Sequence, residues 1–153
     1  MDYKLDFMEA KYHLAVAERM LEGYREYPEK RFLVGVINEG AKAASRLVRA
    51  FVRIEDSRGN GQWVMGNGKD WQSVLNRFVK VIGPKYLDSV TCENLVKMLE
   101  VERAQKVSPI QFAKGDKIIL LIRGKYRVLT ASRIREFVGS VGKGVLTFGE
   151  VSR

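Results

Sequence analysis

Residues 28–54, PEKRFLVGVINEGAKAASRLVRAFVRI, decide how this chain folds. At the helical period Leu33, Ile37, Ala41, Ala44, Val48 and Phe51 gather on one side, and Lys42, Arg46, Arg49 and Arg53 gather on the opposite side. Gly40, Ala41, Ala43 and Ala44 form a small-residue patch that another helix can approach closely. Pro28 suits the first position of such a helix, where its missing N–H has no partner to lose.

Towards the N-terminus, Leu5, Met8, Tyr12, Val16, Met20 and Tyr24 recur at three- and four-residue steps, with Leu14, Ala17 and Leu21 beside them. This predicts a first helix over 3–27. The break at Pro28 is tight, so the first two helices are expected to form an antiparallel αα-hairpin. Their apolar breadth exceeds what a solvated bundle needs, and a homodimer is expected on that ground.

Towards the C-terminus, residues 55–69 read as a loop with two Gly-Asn-Gly triplets, at 59–61 and 66–68, followed by Trp63 and Trp71. Asp70 is a good N-cap for a third helix over 71–82, with Trp71, Val74, Leu75, Phe78 and Ile82 on its apolar face. Gly83-Pro84 is expected to stop it. A fourth helix over 91–106, capped by Thr91, is expected to bury Leu95, Met98, Leu99 and Val101. Residues 117–129 are rich in β-branched side chains and broken at Gly124-Lys125. A two-residue hairpin is the favoured reading and a continuous helix through Gly124 the competing one. In that hairpin Arg123 faces Tyr126, Ile122 faces Arg127 and Leu121 faces Val128. Thr130 or Ser132 then caps a last helix that buries Ile134, Phe137, Val138 and Val141, with Gly139, Gly142 and Gly144 loosening its end. The expected fold is mainly α: one domain over 1–153, an antiparallel bundle of about five helices with a small β-hairpin before the last.

Composition narrows the function classes. With 46% hydrophobic and 29% charged residues the 153-residue chain has the make-up of an ordinary soluble domain. Cys92 and His13 are the only residues of their kinds, which leaves neither an internal disulfide nor a zinc knuckle to propose. The start MDYKLDFMEAKYH has no apolar core of a signal peptide. The longest apolar stretch, Ile118 to Ile122, is far too short for a membrane span. A cytoplasmic protein with no membrane association is the expectation.

Charge is distributed unevenly. Of a formal net charge of +9, the segment from Arg103 to Arg153 holds eleven Lys and Arg against three Asp and Glu, while Met1 to Glu102 holds sixteen against fifteen. A one-sided field of this kind suits phosphates. Arg123, Lys125, Arg127, Arg133 and Arg135 surround Tyr126, so cations are placed to hold a nucleic-acid backbone while a ring stacks on a base. Lys42, Arg46, Arg49 and Arg53 extend that candidate surface. Solvated helix faces interleave signs in pairs four apart, and this stripe has no carboxylate within it. An ordinary solvated basic face is the alternative for both groups.

Catalytic patterns are missing. The glycine loop matches neither GxGxxG nor GxxxxGK[ST], and Phe137-Val-Gly-Ser-Val-Gly-Lys-Gly144 fails as a P-loop at both its first and last positions. His13 lies in a helix with Glu9 one turn earlier. Cys92 sits in the first turn of a helix, where a thiolate is mildly favoured, but no second base completes a nucleophile. No enzyme, cofactor or metal is expected. A metal-independent nuclease built on Arg and Tyr is the weakest reading.

The stretch AKYHLAVAERMLEGYREYPEKRFLVGVINEGAKAASRLVRAF resembles the opening helices of HEPN domains, with the resemblance covering residues 5–54. That family comprises small all-helical bundles that often dimerise, and often act on RNA or pair with a nucleotidyltransferase. Its catalytic signature is Arg, four to six residues, then His. Here the only histidine, His13, has no Arg before it. The resemblance therefore implies a non-catalytic member: a binding protein for nucleic acid, RNA favoured. The alternative is an interaction module for an acidic partner such as a nucleotidyltransferase.

Overall fold

In the computed structural model residues 3–59, 70–107, 112–114, 116–122 and 124–153 are described. The core is built around α2 (Lys30–Arg58). Its buried residues run from Leu33 through Ala43 and Phe51 to Ile54 and occupy about 200° of its circumference by the helical period. An arc this wide has to be covered from several sides, and α1, α5 and α6 all pack on it. Pro28 stands outside α2, which begins at Lys30.

α1 (Tyr3–Glu26) runs antiparallel to α2 and buries Ala10, Leu14, Ala17 and Tyr24. Leu5, Met8 and Tyr12, expected on the apolar face, are 54–64% exposed. The smaller residues won because Ala10 and Ala17, both fully buried, let the two backbones approach closely. The larger ones are left facing outward.

Asp70 caps α3 (Trp71–Arg77) by accepting from the Ser73 N–H at 2.7 Å. The helical path does not stop at Gly83-Pro84. It widens into a π-turn over Phe78–Ile82 and continues as α4 (Gly83–Tyr86). Pro84 lacks an N–H and its ring crowds the carbonyl four residues back, and a widened turn relieves both. Gly83 is required by packing, since a Cβ there would lie 2.8 Å from Cys92 Sγ and 3.0 Å from the Phe78 carbonyl. Glu55 near the end of α2 accepts from Tyr86 Oη and from Lys85 Nζ, which ties α4 to α2. The Tyr86 hydroxyl, more than Lys85, holds the Glu55 carboxyl below its usual range against the opposing effect of burial.

α5 (Ser89–Val107) is capped by Asp88, which accepts from the Thr91 N–H at 2.7 Å. Thr91, the expected cap, lies inside the first turn and is buried. Three antiparallel strands follow, β1 (Phe112–Lys114), β2 (Lys117–Ile122) and β3 (Lys125–Thr130), in the order β1-β2-β3. Thr130 caps α6 (Ala131–Val151) through the Arg133 N–H at 3.1 Å. The glycines do not loosen α6. It stays helical to Val151, and at Gly144 a side chain would meet Leu47 Cδ2 at 2.5 Å. The mainly-α bundle with a small sheet before its last helix is therefore the fold, with β1 as an added edge. No helix among the described residues is long and apolar enough to cross a membrane. The Gly-Asn-Gly triplets lie largely outside the described residues.

Phe51 joins these layers. Its ring meets Phe148 of α6 edge-on at 5.1 Å, stacks on Tyr86 of α4 at 5.6 Å and approaches Phe78 of the π-turn at 6.0 Å. Phe148 in turn packs on Phe7 of α1 at 4.8 Å. Phe51→Ala should lower the unfolding free energy by about 4 kcal/mol in urea titration, and Phe51→Leu by under about 1.5 kcal/mol.

Candidate nucleic-acid interface

The hairpin forms, with a different register from the expected one. Leu121 faces Tyr126, Ile122 faces Lys125 and Leu120 faces Arg127. Gly124 takes φ +76°, so the chain reverses one residue earlier and Lys125 joins the strand. This register pairs all six residues of β2 with all six of β3, from Lys117–Thr130 to Ile122–Lys125. The expected pairing would have left the start of β2 without rungs. Arg123 lies outside the described residues.

Strand alternation then separates the candidate residues. Ile118 and Leu120 are fully buried on the face that packs on α5, and Leu129, Arg127 and Lys125 share that face by register. Tyr126 and Val128 lie on the other face, 70% and 60% exposed. Lys125, Tyr126 and Arg127 are all exposed, but the ring points away from the two cations flanking it. On α6, Arg133 pairs with Glu136 at 2.5 Å and lies over the Phe137 ring, with its guanidinium carbon 4.7 Å from the centroid. Arg135 is exposed and lines a cleft of about 550 Å³ between α1 and α6, together with Glu18, Glu22, Arg25, Leu21, Val138 and Gly139.

The stripe on α2 is occupied from within the chain. Arg53 bonds Asp6 of α1 at 2.5 Å, and Arg46 meets Glu9 at 2.7 Å and Asp6 at 3.7 Å. Lys42 lies 3.7 Å from Glu39, and Arg49 sits over the Trp71 ring at 4.9 Å. For Arg46 and Arg53 the carboxylates missing from the stripe are therefore supplied across the hairpin by α1, while Glu39 of α2 itself serves Lys42. The signal that could have found the α1 partners is Asp6 and Glu9 three residues apart, opposite an antiparallel helix. Burial, ahead of the neighbouring Arg46, pushes the Arg49 guanidinium down. Burial also pushes the Asp6 carboxyl up, outweighing the pull of Arg53 and Arg46.

His13 is held by the Glu39 carboxylate, with Nδ1 2.5 Å away. Cys92 is buried, and burial with the nearby Asp88 charge raises its thiol, the reverse of the activation expected for a helix N-terminus. Lys117, Lys125, Arg127, Arg135 and Lys143 are exposed and make no ion pair with the described residues.

Because burial outweighs attraction at Asp6, the pair contributes little net stability, yet removing one member leaves the other stranded. Asp6→Asn should cost about 2 kcal/mol in urea unfolding, since Arg53 loses its partner but keeps some contact with water. The double variant Asp6→Leu with Arg53→Met should recover most of that loss.

With this geometry in place, comparison with known proteins adds no relative: the chain matches no family model, no curated protein and no solved structure.

Proposed function

We propose that this chain is a non-catalytic, HEPN-like accessory protein that binds nucleic acid, with RNA favoured. One observation carries the reading. Ion pairs within the chain take up Arg46, Arg53, Arg77 and Lys85, whereas Lys117, Lys125 and Arg127 of the sheet, with Arg135 and Lys143 of α6, are exposed and make no ion pair with the described residues. Cations that make no ion pair are available to neutralise phosphates, and the counterions released from the nucleic acid drive binding. Asp88 near Lys143, and Glu18 and Glu22 in the cleft with Arg135, reduce the share of those two. Lys125 and Arg127 form the centre of the surface, and Arg135 extends it on α6. Arg133 contributes less, because Glu136 already holds it. Tyr126 offers its ring from the other face of β3, so a single strand that stacks on it must fold around the strand to reach both.

Fluorescence anisotropy with labelled single-stranded RNA tests this at several salt concentrations. Lys125→Gln with Arg127→Gln should weaken binding by a similar factor for every sequence and reduce the salt slope by about 1.4. Tyr126→Ala should cost about 1–3 kcal/mol on single strands and leave duplex binding nearly unchanged. Absence of binding by the wild type at about 100 mM salt ends the reading.

A homodimer is part of the same proposal, supported by Leu5, Met8 and Tyr12 on the outer side of α1. Light scattering should give twice the 17.4 kDa chain mass, and Tyr12→Glu should return it to the single-chain value. A monomer at about 100 μM wild-type protein would rule the dimer out.

A further inference from the structure

β3 is an edge of the sheet, and no described element pairs with its outer side. The backbone N–H and C=O groups along that side are a template for one more strand. Sheet edges are commonly blunted by a bulge, a proline, a covering segment or charged side chains, and of these β3 has only the charges of Lys125 and Arg127 among the described residues. β3, KYRVLT, pairs with β2 over six consecutive positions without a break and contains no proline.

The side chains define what strand would fit. Lys125 and Arg127 lie on one face, both exposed and without ion pairs to the described residues, and Tyr126 and Val128 lie exposed on the other. β3 contains no carboxylate. A second copy of the chain fits this edge badly, because pairing β3 with β3 brings four like charges onto one face. Nucleic acid cannot complete the ladder, having no peptide N–H and C=O groups spaced to match it. Cations on an edge deter an uncharged strand and attract an acidic one.

We infer that β3 accepts an extended segment of a partner protein in which carboxylate and apolar residues alternate. Its backbone extends the sheet, its carboxylates meet Lys125 and Arg127, and its apolar side chains cover Tyr126 and Val128. The link to nucleic acid rests on the function proposed above: the acidic strand takes the same two cations that phosphate would use, so the two ligands exclude each other.

A labelled, end-blocked peptide of alternating Glu and Val, titrated without nucleic acid, tests the docking. It should bind saturably and about tenfold or more tighter than a peptide of the same composition with all Glu residues first. N-methylation of alternate amides along one edge should weaken it by a similar factor, because that blocks the ladder and leaves the charge unchanged. Lys125→Glu with Arg127→Glu should lose this peptide and gain one of alternating Lys and Val. If the three Glu peptides bind equally, or none binds, the inference fails. RNA titrated without peptide reads the other proposal separately. RNA binding without peptide binding sinks only the inference, and peptide binding without RNA binding sinks only the nucleic-acid reading. When both bind, the peptide should displace RNA, and simultaneous binding would overturn the exclusion.

Discussion

A helix that is buried over more than half its circumference has to be surrounded, and α2 sets that condition for everything else in this chain. Its small positions admit close neighbours: Ala43 and Ala50 are fully buried, and Gly40 is buried too. Phe51 fills the space where α6, the π-turn and α4 converge. The π-turn follows from the same demand. A helix broken at Gly83-Pro84 would carry Tyr86 away from Phe51 and Glu55, whereas the widened turn delivers Tyr86 to both.

Burying so much of α2 leaves only a narrow polar stripe, and that stripe fixes how charge is distributed over the molecule. Asp6 and Glu9 on α1 meet Arg53 and Arg46 because two antiparallel helices packed through alanines hold their flanking polar residues within reach of each other. The result is local cancellation. The sheet and the start of α6 come later in the chain, where Asp116, Glu136 and Glu150 are the only carboxylates after Glu102, so their cations, apart from Arg133 paired with Glu136, make no ion pair with the described residues. The excess positive charge of the later part of the sequence is thus carried by the sheet and α6.

What could be read from the sequence follows the range of the interaction concerned. The caps at Asp70 and Thr130 are set within three residues; the first was legible, and the second was one of two candidates, Thr130 and Ser132. The buried arc of α2 was legible because no other apolar face competes with it. On α1 two stripes compete, and counting hydrophobic residues favours Leu5, Met8 and Tyr12. The packing that favours Ala10 and Ala17 exists only once α2 is in place. The partners of Arg46 and Arg53 escaped for the same reason, since a stripe taken alone does not show what faces it. Asp88 and Thr91 are both good caps three residues apart, and tertiary burial of Thr91 decided between them.

The register of the hairpin has the largest consequence for function. Moving the turn back by one residue changes every cross-strand partner by two positions, so each side chain keeps its face and acquires a new neighbour. Tyr126 now stands opposite Leu121, and Val128 opposite Ile119, which makes an apolar row on the outer face. Lys125 and Arg127 stand opposite Ile122 and Leu120 on the face turned towards the helices. A flat ligand lying on either face meets only cations or only the ring. Reaching both sets requires either a chain folded around β3 or another strand along its edge, whose own side chains would alternate in step with those of β3.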